Sequence, residues 1–164
     1  MNWAHAHLII NHAPVMGAFF CLFLLAWGFV RRSEEVMRAA LWGSALTALA
    51  AGAAYLTGSY AGDLVQALPD VSAVRISTHE DAALLALIAA VATGVVALAG
   101  LWLAKSGRPP ARWSLWGCLI LGLITCALMA RAANLGGEIR LPEARPGFQW
   151  PAAPAAPASE SPKT

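Results

Sequence analysis

Charge is scarce in this chain. Asp, Glu, Lys and Arg make up only 12% of its 164 residues, while 59% are hydrophobic. A soluble domain of this size carries about twice that charged fraction, so the composition excludes an ordinary soluble globule and predicts one compact membrane bundle. The formal net charge of +2 comes with no basic stripe, which argues against a nucleic-acid partner. Cysteine is equally sparse. Cys21, Cys118 and Cys126 fall in apolar runs and read as small buried hydrophobes. No pair of them has zinc-site spacing, and the absence of Cys-x-x-Cys-His excludes covalently attached c-type haem. Nothing resembles a nucleophile–base pair, so the sequence leaves open whether the chain is an enzyme and favours a non-catalytic role. Residues 1–7 lack a basic stretch and the apolar run after them is too long for a signal core, so a first span that stays in the protein is expected.

What the chain has is long apolar runs. A helix needs about 20 apolar residues to cross the hydrocarbon core, and Leu8–Val30, Ala39–Gly62, Ala82–Ala104 and Trp113–Ala130 qualify. Backbone polar groups in lipid must be satisfied within the segment, so these are expected to be helices. The fold class predicted is all-α, an integral membrane four-helix bundle of residues 1–140. The connections 31–38 and 105–112 each carry three Lys or Arg, the loop 63–78 carries only Arg75, and the N-terminal segment carries none. The positive-inside rule then puts both termini and the central loop on the outer, periplasmic side of a bacterial inner membrane. Trp27, Trp42, Trp102, Trp113 and Trp116 gather at the expected inner ends, as an aromatic belt would. The segment 141–164, rich in Pro, Ala and Ser, is expected to be extended or disordered. The middle of each run has no ionisable residue, which disfavours a transporter or channel.

With this orientation the unusual polar residues share one layer. His5, His7, Asn11 and His12 lead into span one, His79, Glu80 and Asp81 open span three, and Arg131, Asn134, Glu138 and Arg140 close span four. All four histidines of the chain lie there. Asn11 reads as an N-cap with Pro14 in the first helical turn, where its missing N–H costs nothing. Ser77 and Glu80 resemble a capping box, which places His79 in the first turn of span three. Below His79 runs a strip of Ala83, Ala86 and Ala90, suited either to a close helix neighbour or to a flat prosthetic group. Below His12 lie Met16, Phe19 and Phe23.

His12 and His79 are therefore expected at the same depth on spans one and three. Two neutral imidazoles can hold a haem iron axially. On that reading haem b lies between the spans near the outer face, Met16 and Phe19 line it, and Arg131 and Arg140 pair with its propionates. Other readings stand beside it. His5, His7, His12 and Met16 are acceptable copper ligands, so His5 and His7 are secondary metal candidates. His79 with Glu80 could serve a quinol. A structural or accessory subunit of a larger respiratory or photosynthetic complex would need no cofactor of its own.

The stretches "NHAPVMG", "LTG" (56–58), "THE" (78–80) and "ANLGGEIRLPE" (133–143) resemble an uncharacterised four-helix family of predicted membrane proteins. That family has a His-Phe-Pro start to span one and a Gly-Gly after span four. Ala13 stands where the family usually has Phe, and Leu141 where relatives often have His or Tyr. Members resemble parts of respiratory systems, and some are joined to c-type cytochrome domains. The resemblance implies electron transfer, with other membrane subunits, a c-type cytochrome or quinol as partners besides membrane lipid.

Overall fold

A computed structural model describes residues 2–68, 71–104 and 108–150. Among them there are helices and no strands. The order is α1 (Trp3–Ile10), α2 (His12–Arg31), α3 (Glu34–Gln66), α4 (Ala73–Leu103) and α5 (Arg112–Arg140), followed by a 3-10 turn at Pro142–Ala144. α1 and α2 together form one span of 29 residues, so four helical segments are long and apolar enough to cross a membrane. The chain is a multi-pass membrane protein. Successive spans pack as antiparallel neighbours and α2 closes the ring against α5, which leaves spans one and three on a diagonal.

The helices are longer than the apolar runs. At 1.5 Å per residue a 29-residue span measures about 44 Å, against a hydrocarbon core of about 30 Å. Most of the surplus lies at one end: α4 begins at Ala73 instead of Ala82, and α5 continues to Arg140 instead of Ala130. The polar layer is therefore a helical crown, not a set of loops. Two local readings change with it. Asn2, not Asn11, caps the first helix, accepting from the His5 N–H at 2.9 Å. Asn11 sits in right-handed helical geometry and makes no capping bond. The interruption there comes from Pro14, which is buried inside the helix and cannot donate to the Ile10 carbonyl. Likewise Ser77 caps nothing. Its hydroxyl donates to the Val74 carbonyl, and His79 stands in the second turn of α4, not the first.

Small residues fill the bundle. One core cluster joins Leu25, Leu41, Ala97, Leu101, Leu115 and Cys118, and a second joins Ala18, Ala51, Ala86, Ala90, Cys126 and Met129. The alanine strip below His79 thus serves a close helix neighbour: Ala86 and Ala90 are 1% and 2% exposed, with no space for a flat group between them and Ala18. A cavity of about 20 Å³ at mid-bundle, beside Thr47, Thr93 and Thr125, has room for one water. At the end opposite the crown, Ser33 caps α3 by accepting from the Val36 N–H. There Arg38 donates through two nitrogens to the carbonyl of Ala104, the C-cap of α4, and to the Arg108 carbonyl, where a cation complements the helix dipole.

The segment after α5 is tied back where it is described. Arg145 donates to the Glu138 and Ile139 carbonyls at 3.0 and 3.3 Å, and Phe148 meets Trp150 edge-on at 5.3 Å. The rest of the Pro/Ala-rich tail, 151–164, and residues 105–107 of the basic connection lie outside the described residues.

Close approach of α3 and α4 depends on Gly94, where an added Cβ would stand 2.8 Å from the Ala48 Cβ. Gly94→Ala is expected to cost about 1–3 kcal/mol through overpacking. Gly52→Ala, whose Cβ would meet nothing within 4 Å, should be neutral or stabilise slightly through helix propensity. Thermal unfolding in detergent separates the two.

Candidate functional site

The crown gathers two imidazoles against glycines. The His7 Nδ1 donates to the Ala54 carbonyl at 3.0 Å and lies 3.4 Å from the Thr57 hydroxyl. The His79 Nδ1 donates to the Ala132 carbonyl at 3.0 Å. A carbonyl can only accept, so in the neutral ring each Nδ1 carries the proton and each Nε2 keeps its lone pair. Neither Nε2 has a hydrogen-bond partner among the described residues. His7 is seated on Gly58 and His79 on Gly136, while Glu80, next to His79, reaches Gly62 one turn along α3 from Gly58. The two rings lie within electrostatic reach of each other.

Two contacts fix the walls. Trp3 stacks on Tyr60 with ring centroids 4.8 Å apart, pinning the start of α1 to the end of α3. Across the crown, Arg75 donates to the Glu138 Oε2 at 3.1 Å and Asn134 to its Oε1 at 2.9 Å. Glu138 is only 8% exposed, and a buried carboxylate needs such partners.

The residues singled out from the sequence divide into two groups. His79 faces inward as expected. His12 is exposed, with its Nδ1 donating back to the Leu8 carbonyl of its own helix at 3.2 Å. Met16, Phe19 and Phe23 on the same stripe face outward, with Met16 68% exposed. His5 is exposed as well. The structure therefore turns His7 and His79, not His12, onto neighbouring helices at the crown, and it does not gather His5, His7, His12 and Met16. Arg131 and Arg140 are exposed, while Arg75 and Arg145 hold the carboxylate and carbonyls of the crown. Among the described residues, no group of three or more His, Cys, Asp and Glu is arranged to hold a metal ion. An axial pair on a macrocyclic iron needs only two.

The sequence contained a signal for His7. Seven and eleven residues on, it shares a face with buried Pro14 and Ala18, and in membranes small residues face neighbouring helices. His12 shares its face with the bulky Met16, Phe19 and Phe23.

Removing one partner of Glu138 should be felt. Arg75→Met is expected to lower stability by about 1–3 kcal/mol, the range for loss of a charged hydrogen bond. Arg131→Met, at an exposed position, should stay within about 0.5 kcal/mol of the parent. Detergent unfolding of both variants checks the contrast. No known protein family, curated protein or solved structure matches the chain.

Proposed function

We propose that the chain is a b-type cytochrome-like electron-transfer subunit that holds one haem at the crown, between spans one and three. One observation carries this reading: two imidazoles, each with Nδ1 committed to a backbone carbonyl and Nε2 left uncommitted. That is the tautomer an axial ligand requires, and second-shell bonds of this kind fix ring orientation and raise ligand basicity. The ligands in this reading are His79 and His7, with His7 taking the part the sequence suggests for His12. The group supplies a one-electron couple, and the protein sets its position and surroundings. The packed Ala86 and Ala90 confine it to the crown, above the apolar core.

An accessory role without a cofactor is the second reading. It is favoured by the filled bundle interior and by the outward apolar stripe of Met16, Phe19 and Phe23. An absorption spectrum of the purified chain from haem-replete cells, oxidised and dithionite-reduced, decides. The haem reading expects a Soret band and a sharp reduced α band, lost in His7→Ala and in His79→Ala but kept in His12→Ala. Loss in His12→Ala with retention in His7→Ala would return the site to His12. A colourless wild-type chain would leave the accessory reading.

The proposed orientation has both termini and the crown outside a bacterial inner membrane, with the two basic connections inside. A quinol pool and an external c-type cytochrome are then the natural partners. An export-dependent reporter fused after Thr164 should be active, and one inserted between Arg108 and Arg112 inactive. The opposite pattern would invert the topology.

A further inference from the structure

The settings of His7 and His79 share two features, although only His7 has a hydroxyl, that of Thr57, beside its Nδ1. In each, Nδ1 donates at 3.0 Å to the carbonyl one turn before a glycine on the following helix. In each, a Cβ on that glycine, Gly58 or Gly136, would stand 3.0 Å from the ring Cε1. The likeness continues down the bundle. At the spacing that separates His7 from His79, buried Ala18, Cys21 and Leu25 of α2 have buried counterparts in Ala90, Thr93 and Ala97 of α4. At the spacing that separates Ala54 from Ala132, buried Ala40, Thr47 and Ala51 of α3 correspond to buried Cys118, Thr125 and Met129 of α5. The contacts follow the same rule: Cys21 Sγ meets the Thr47 hydroxyl at 3.8 Å in the first hairpin, and the Thr93 and Thr125 hydroxyls meet at 3.0 Å in the second.

We propose that the four spans are two copies of one helical hairpin, and that Gly58 and Gly136 are paired positioning residues presenting His7 and His79 as equivalent ligands to a single cofactor. The closed ring of antiparallel neighbours lets a two-fold axis along the bundle exchange the hairpins, and with them the two rings. Two imidazoles so related suit a ligand that takes the same contact on opposite faces, as a planar macrocyclic metal centre does. They suit a quinol less, because its two oxygens differ in charge and protonation during oxidation. The identity of the ligand rests on the haem reading; the equivalence of the two rings does not. The glycines matter because the ring lies in contact with the α3 or α5 backbone while its Nδ1 reaches the carbonyl. A methyl group at either position must push the ring away from that bond.

The test is nitrogen NMR of the full chain in detergent, prepared without haem and labelled with 15N-histidine. Signals are assigned with His7→Ala, His79→Ala and His12→Ala. His7 and His79 should both show a protonated Nδ1 and a bare Nε2. Gly58→Ala should shift the His7 signals alone, and Gly136→Ala those of His79 alone, by similar amounts. Gly52→Ala and Gly137→Ala, whose Cβ atoms would meet nothing within 4 Å, should shift neither. Unmoved rings in both cradle variants, or a response from one ring only, would overturn the proposal. Should a cradle variant lose its helical circular dichroism, the wild-type tautomers decide, and a proton on Nε2 of either ring overturns it. A chain with two matched rings that takes up no haem would remove the haem reading and leave the duplication standing.

Discussion

Lipid offers helices no hydrophobic reason to associate, and the structure depends on what replaces that force. Apolar side chains are as comfortable against acyl chains as against each other, so spans hold together by close packing and by bonds between them. Both need small residues at the interfaces. The cores here are built on that basis: Ala86, Ala90 and Ala97 are nearly sealed, and Gly94 lets α4 approach Ala48 on α3. The bulky side chains are displaced to the outside, which is why Phe19, Phe20, Phe23 and Trp27 are exposed on α2.

The same constraint explains the site. The two imidazoles reach a backbone carbonyl on a neighbouring helix at places where that helix presents no Cβ against the ring. Ala54 and Ala132 lie one turn before Gly58 and Gly136, so their carbonyls are open to a ring resting on the glycine. The histidines are thus held by the packing that holds the bundle, and no dedicated loop is needed to orient them. The polar crown adds fixed points at its rim. Trp3 on Tyr60 and Arg75 on Glu138 tie helix ends that extend beyond the expected hydrocarbon thickness.

Much of this was legible in the residues. Four spans follow from four uncharged runs, and a polar layer at one end follows from where His79, Asn134 and Glu138 stand. The errors came from boundaries and faces. Pro14 invites a helix start because a proline costs least there, and it does lie in the first turn of α2, yet Asn2 caps a further helix, α1, two turns earlier in the same span. α2 does begin at His12, but its His12 stripe faces outward, and the inward histidine, His7, lies in the helix before it. Hydropathy cannot separate a lipid-facing stripe from an inward one, since both are apolar. Size can: the His7 face runs through Pro14, Ala18 and Cys21, and the His12 face through Met16, Phe19 and Phe23. The carbonyl partners carry no sequence signal of their own, because a main-chain acceptor is available at every residue. At Ala54 and Ala132 the glycine one turn later makes room for a ring.

The internal likeness bears on why one bundle should carry two such histidines. Each hairpin holds its ring through Nδ1 on one carbonyl, and Nε2 has no hydrogen-bond partner among the described residues. Both rings are only half-buried and stand at the crown, and neither Nε2 is a buried atom left without a partner. Neither ring can satisfy the other, because both offer lone pairs and neither Nε2 carries a proton. Either lone pair can accept a hydrogen bond from a donor such as water or bind an electron-pair acceptor such as a metal centre. Pairing two copies of the hairpin therefore presents two lone pairs of the same kind at one end of the bundle, and these are what the proposed haem would use. The alanines sealed below the crown keep both rings at that end of the bundle, above the apolar core.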